Sequence, residues 1–427
     1  MRSGERRTGA DLRSAGSAER QRAQRMTPVS ADRKPAAQAP PPPAHAPLWL
    51  LAVITLSGTL AMHIFVPALP LAAQDLGASA SAMQLTLSAY IVGLAIGQLT
   101  YGPISDRFGR RPVLAVGMVI YLVASLVAML TPSVQALIVT RFFQALGGCS
   151  GLVLGRAIVR DSVSGNDAAR RLSLMNLMVM AGPGLSPLVG SFLAAVTGWR
   201  SIFAALCVLG LVNLVLIWRL LPETKGNQGQ DVRTVLRSYR QLLKSRGFLG
   251  YTIGGGCATT PIYAFIGAAP FIFIDQIHRP AHEVGIYLAI NIVGAWFGSL
   301  TVSRLIGRVS SGRLMVIGNL LSCVSAFIFL AFAVAGSLGV LSTVLPMLLL
   351  SYGTGIASPM ALSAALGINP SIAGSASGLY GFVQMSIGAV CAALGGVGGN
   401  PALAVGIVLL AAGLLAQLSF WFAHTQT

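Results

Sequence analysis

The amino-acid sequence predicts an all-α polytopic membrane protein with twelve transmembrane helices in two pseudo-symmetric six-helix bundles. Three observations carry that prediction. Only 10% of the 427 residues are charged and 54% are hydrophobic, with mean hydropathy +0.74; a soluble domain carries roughly 25% charged residues. Twelve apolar runs of about 20 residues follow a polar tail, each long enough to cross about 30 Å of hydrocarbon. The last six runs repeat features of the first six at a near-constant offset.

Residues 1–47 are rich in Arg, Ala, Ser and Pro, with nine Lys/Arg against four Asp/Glu. No apolar stretch occurs there, so no cleavable leader is expected, and the composition predicts a disordered cytoplasmic tail. Met26 offers a second initiator. The runs lie at 48–70, 82–104, 112–131, 135–159, 172–196 and 201–221, then at 248–276, 284–303, 314–335, 340–366, 373–396 and 401–422. The polar segment 222–247 divides them into a first bundle over 48–221 and a second over 248–422, and 423–427 form a short cytoplasmic tail. Within 222–247, Leu236, Tyr239, Leu242 and Leu243 recur at helical spacing beside six cations, which suits an interfacial amphipathic helix.

The breaks set the topology. Those at 105–111, 160–171, 222–247 and 304–313 are basic, whereas 71–81, 132–134, 336–339 and 397–400 hold no Lys or Arg. Short basic loops stay cytoplasmic, so both termini are expected inside a bacterial cytoplasmic membrane. Arg200 and Arg279 are single exceptions on the outer side, and the uncharged 367–372 break is oriented by count alone. Asp75 and Asp275 fall at outer span ends, where solvation is expected.

The repeat is visible residue by residue. An offset of 200 aligns Phe65 with Phe265, Ala68 with Ala268, Pro70 with Pro270 and Asp75 with Asp275. An offset of 201 aligns Gly93 with Gly294, Gly97 with Gly298 and Arg107 with Arg308. Parallel repeats of this kind put a transporter's substrate at midplane between the halves.

One break is chemically distinct. Gly102-Pro103-Ile104-Ser105-Asp106-Arg107-Phe108-Gly109-Arg110-Arg111-Pro112 combines an acid, three arginines and two glycines, more than orientation requires. Here the sequence resembles the major facilitator superfamily, whose signature after the second helix reads Gly, three residues, Asp-Arg, one residue, Gly-Arg-Arg or Lys. Gly102, Asp106, Arg107, Gly109, Arg110 and Arg111 match it in order. The resemblance covers 48–422 and implies a conformational gate. It also implies that Arg156 or Arg160, at the inner end of the fourth span, partners Asp106 in the outward-open state. Asp106 can alternatively cap the eleventh span, since a helix N-terminus favours negative charge.

Other residues bear on substrate or protons. Arg141 lies about seven residues, or about 10 Å, inside the fourth span; an arginine there is either functional or snorkels to the outer interface. With Gln144 it matches the family's Arg-x-x-Gln-Gly pattern, although Ala145 replaces the Gly. His63 and Phe65, in Met62-His63-Ile64-Phe65-Val66-Pro67, resemble the first helix of bicyclomycin- and chloramphenicol-type drug/proton antiporters, with His63 where that branch commonly has Asp. Histidine titrates near neutral pH, so His63 is either a proton carrier or a neutral pocket residue. Gly182, Pro183 and Gly190 resemble the antiporter signature of the fifth helix, except that Ser191 replaces a final Gly; small residues there also serve plain helix packing.

The five cysteines lie in apolar runs without metal-ligand spacing, no phosphate loop occurs, and no catalytic set is present, so neither a metal, a cofactor nor enzymatic activity is expected. The basic residues sit in a tail and loops with few aromatics, which argues against nucleic acid and for a bilayer partner. The resemblance implies a proton-driven exporter of small drug-like amphiphiles, expected to be a monomer. A metabolite uptake symporter and a non-transporting receptor or enzyme remain alternatives.

Overall fold

The computed structural model describes residues 46–162, 165–222 and 232–424; the expectation of a disordered tail lies outside them. Every regular element among them is helical. Among the described residues eleven helices are long and apolar enough to cross a membrane: α1 (Leu48–Asp75), α2 (Ala80–Phe108), α3 (Arg110–Leu130), α4 (Val134–Ser162), α6 (Arg200–Leu220), α7 (Arg246–Gln276), α8 (Ala281–Leu305), α9 (Ser311–Val334), α10 (Val340–Gly367), α11 (Pro370–Leu394) and α12 (Pro401–Ala423). The fifth helix of the expected twelve, α5 (Gly165–Thr197), is apolar over the shorter stretch Gly182–Thr197. A separate helix, Val232–Lys244, lies in the linker.

The first and seventh spans are interrupted in parallel. In α1 a helix ends at Ile64, a 3-10 turn covers Val66–Ala68, and a short helix resumes from Leu69 to Asp75. Pro67 and Pro70 account for this, since each removes a backbone donor. In α7 the helix stops at Thr259 before Pro261 and resumes over Ile262–Phe271, ending in a π turn after Pro270. Most spans outrun their apolar runs. The predicted 105–111 break is nearly all helix, because α2 continues to Phe108 and α3 begins at Arg110. Only Gly109 leaves helical geometry, at φ +94°, which a side chain would strain.

The repeat seen in sequence is a repeat of packing. A Cβ on Gly93 would meet the Phe142 carbonyl of α4, and one on Gly294 the Leu348 carbonyl of α10. The next pair behaves alike: Gly97 abuts Cys149 of α4 and Gly298 the Tyr352 carbonyl of α10. The glycines therefore let α2 press on α4 and α8 on α10. Exposed apolar stripes such as Val116, Val119 and Val123 on α3 face lipid.

The hydrophobic core is continuous between bundles on one side only. The first bundle shares one cluster with the outer halves of the second, including Phe265, Leu288, Phe329, Ala392 and Val405. The inner half of the second bundle, around Phe248, Met360, Tyr380 and Phe420, forms a cluster of its own. The bundles thus share one core at the end that carries the α1–α2 and α7–α8 turns, labelled outer here from the charge pattern of the sequence. At the opposite, inner end a cavity lies between them, and contact is kept by Leu99 on the second cluster and by Gln98 against Gly381.

Candidate functional site

A cavity of about 490 Å³ opens between the bundles at the inner end. Gln98, Gly102 and Asp106 of α2, Arg110 of α3, Arg156 and Arg160 of α4, Tyr239 of the linker helix and Ser375 and Ser377 of α11 line it. The signature residues are tied to one another. The Asp106 carboxylate meets the Arg110 guanidinium at 2.5 Å, and Arg110 Nε donates to Asp161 at 2.9 Å. Arg110 also donates to the Ser105 hydroxyl at 2.5 Å. Arg111 donates to the Trp218 carbonyl at 2.8 Å, and Arg107 stacks 5.3 Å from the Phe108 ring centroid.

The gate expected for the outward-open state is not formed in this conformation. In this conformation Asp106 pairs with Arg110, not with Arg156 or Arg160, and no side chain caps α11. The fourth span supplies an acid, Asp161, instead of a cation. The reason is geometric: Asp106 and Arg110 are four apart across a helix end, while Arg156 and Arg160 face the open cavity without an ion pair among the described residues. Gly102 also faces open space here, so its small size is not used in this state.

Arg141 does not snorkel. It is 1% exposed and points into the first bundle. Its guanidinium donates to the Ala61 carbonyl at 3.0 Å and to Gln144 at 2.5 Å, while Gln144 donates to Ser125 at 2.7 Å. The faces of the group lie 4.1, 5.5 and 5.9 Å from the ring centroids of Tyr90, Phe65 and Phe203. Carbonyls and ring faces therefore stand in for a carboxylate. Arg141, Gln144 and Phe65, expected on the pathway, line none of the described cavities. In this conformation the face of α4 that carries Arg141 packs into α1 and α2.

His63 alone of that group reaches the bundle interface. It lines a water-sized cavity of about 10 Å³ with Val66, Pro187, Ile266, Leu288, Asn291 and Ile292, from α1, α5, α7 and α8. Its Nδ1 lies 2.8 Å from the Thr59 carbonyl. A carbonyl only accepts, so Nδ1 carries the hydrogen and Nε2 is the open end. Asn291 in turn accepts a short hydrogen bond from Ser351. Among the described residues no carboxylate lies in the interior of a span: each sits at or near a helix end or in a loop.

The antiporter-like segment of α5 joins the two bundles. A Cβ on Gly190 would strike the Ile64 carbonyl of α1, and one on Gly182 the Leu56 side chain. Pro183 and Pro187 lie inside the helix, and the Pro187 carbonyl lies 2.7 Å from where a Cβ on Gly285 of α8 would sit.

Residues that sequence reasoning missed close the outer face. Ser81 of α2 donates to the Gly396 carbonyl beyond α11. Gln84 is 1% exposed, beside Gly267 and Gly396, with neither amide atom hydrogen-bonded. Its signal was an amide near the start of an apolar run. Asp75 is not merely solvated: it pairs with Arg200 and accepts from Trp199 Nε1 at 3.1 Å. Arg279 pairs with Glu283 at 2.8 Å. Each of these two arginines is thereby paired with an acid.

Comparison with known proteins places this arrangement. Residues 51–393 match the Major Facilitator Superfamily. The chain is 32% identical over 340 residues to the multidrug resistance protein D of Escherichia coli (strain K12), covering 79% of this chain and 85% of that one. It is 29% identical over 379 residues to an uncharacterized transporter of this type, YdgK, from Bacillus subtilis (strain 168), covering 87% and 94%. The bicyclomycin resistance protein homolog of Haemophilus influenzae is 26% identical over 347 residues, 81% of this chain and 87% of that one. Among solved structures, a D-xylose-proton symporter superimposes with TM-score 0.70 at 16% identity, over 88% of this chain and 96% of that one. A bacterial homolog of the lysosomal transporter Spinster, in an inward-facing conformation, gives TM-score 0.70 at 13% identity over 89% and 96%. With the matched span, the paired bundles and the intact signature between α2 and α3, the chain is a membrane transporter that belongs to the Major Facilitator Superfamily.

Proposed function

We propose that this transporter exports small, amphiphilic, drug-like compounds from a bacterial cytoplasm in exchange for protons, by alternating access. The substrate class is suggested by relatives named for multidrug and bicyclomycin resistance. The exchange reading rests on one observation: His63, among the described residues the only imidazole or carboxylate inside the spans away from their ends, sits where the two bundles meet. With the outer face open, Nε2 takes a proton from outside; with the inner face open, the proton leaves and the carrier reloads. No cofactor is needed, since the proton gradient supplies the energy. The chain works as a monomer, because the path runs between its own two bundles, and both termini lie in the cytoplasm.

The test is efflux from proteoliposomes with and without an imposed pH gradient. Wild type should concentrate substrate on the acidic side. His63→Asn should lose the gradient dependence while keeping downhill movement, and His63→Asp should retain part of it. Unchanged concentration by His63→Asn would place the proton path elsewhere. Accumulation toward the alkaline side by wild type would make the chain an uptake symporter. A panel of compounds tested on an efflux-deficient host identifies the substrate.

A further inference from the structure

The linker helix and the seam between α7 and α12 form one surface that the transport cycle leaves unused. The helix Val232–Lys244 buries Val235, Ser238 and Leu242. Its flank leaves Leu236 60% and Leu243 50% exposed, seven residues apart and so on one side. Arg237, Arg240 and Lys244 follow round the helix, all exposed. Ser245 then caps α7 and Arg246 opens it. Arg246, also exposed, lines the inner end of a groove of about 310 Å³ with Leu249, Ile253, Leu418 and Phe422. At Leu415 this groove meets a second, of about 630 Å³, between α7, α11 and α12. The second is lined almost wholly by apolar side chains, with Cys257 and Cys391 among them.

Arg237, Arg240, Lys244 and Arg246 make no ion pair among the described residues. An exposed apolar flank beside such cations is favourable where the leucines enter the acyl boundary and the cations meet phosphates. The grooves lie along the hydrocarbon-facing sides of three spans, so an apolar chain fills them. A molecule that brings such a chain and also a negative group at the depth of Arg246 is a phospholipid. Four cations favour a net-anionic headgroup over a zwitterionic one, whose own ammonium they repel.

We propose that the linker helix and the α7–α12 groove bind an anionic phospholipid, its phosphate against Arg240, Lys244 and Arg246 and one acyl chain along Ile253 and Leu415. The site also reaches the gate. Tyr239 on the same helix donates to the Leu99 carbonyl of α2 at 3.2 Å and lines the inner cavity. A lipid that fixes the helix therefore favours the conformation described here. Only the assignment to the inner leaflet rests on the proposed orientation, and lipid retention is read without transport, so the two readings fail separately.

The test is native mass spectrometry of the full-length protein released from vesicles of phosphatidylcholine mixed equally with phosphatidylglycerol. Wild type should retain phosphatidylglycerol preferentially. At about 1 kcal/mol per cation, each of Arg240→Gln, Lys244→Gln and Arg246→Gln should lower that preference about fivefold. Ala411→Trp, which fills the groove without touching a charge, should reduce retention of both lipids. Arg308→Gln with Arg313→Gln, cations on another loop, should change neither. Equal retention of the two lipids by wild type, or charge variants indistinguishable from wild type, overturns the proposal. So does displacement of the retained lipid by an exported apolar compound with no effect of the three charge variants, which would make the groove a lateral substrate entrance.

Discussion

Gln84 should limit how long the outer face stays closed. Its amide is buried between the bundles beside Gly267 and Gly396, and neither polar atom has a partner. An unsatisfied buried amide costs about 1–3 kcal/mol in proteins, because its hydration is lost without replacement. When the outer face opens, water restores that hydration, so the cost falls on the closed state alone. Gln84→Met keeps length and removes both polar atoms. Taking about 2 kcal/mol, the variant should favour outer closure about thirtyfold. Export then slows wherever outer opening limits the cycle. Ser81→Ala should act with opposite sign, since it deletes the hydrogen bond to the Gly396 carbonyl. Both can be read from spin-label distances between Gln74→Cys and Ser337→Cys, exposed outer positions of the two bundles, in a background without the native cysteines. A Gln84→Met protein whose outer-open population equals or exceeds that of wild type would refute the reasoning.

Three further outcomes are expected. Asp106→Asn keeps size but cannot hold Arg110 here or a cation of α4 in the outward-open state; it should abolish most export at near-normal membrane expression, measured as flux per molecule. Gly190→Ala pushes a methyl into the Ile64 carbonyl and should destabilise by about 1–3 kcal/mol, whereas Gly184→Ala, whose nearest neighbour is Ile292 at 3.9 Å, should be nearly silent in a melting assay. A reporter active only outside the cytoplasm, fused after Thr427, should be inactive, and activity there would contradict the proposed topology.

Much of the fold was legible because lipid imposes a simple rule: a span must be apolar for its whole length. That rule located the runs. The glycines at 93, 97, 294 and 298 carried the packing repeat as well, since only a missing side chain allows such approach. Side-chain direction was not legible. Arg141 was recognisable as costly, but whether it met lipid headgroups, a cavity or Tyr90 depended on which helices surround α4. Asp75 and Arg200 were both noticed, yet 125 residues separate them and nothing local pairs them. Gate partners were unreadable for the same reason: Arg110 stands four positions from Asp106, but whether the carboxylate meets it or Arg156 and Arg160 depends on how α4 packs beside α2.

The ring-and-carbonyl setting of Arg141 bears on the energetics of the whole cycle. Because no carboxylate balances that cation, the first bundle has, among the described residues, no interior anion to hold a positively charged drug. On the proposed exchange through a single imidazole, a neutral compound leaving against one entering proton moves one net charge inward. The cycle is then electrogenic, and an interior-negative potential contributes about 2.3 kcal/mol per 100 mV in addition to the pH difference. Collapsing that potential with a potassium ionophore at constant pH gradient should therefore weaken the export of neutral compounds more than that of monovalent cations.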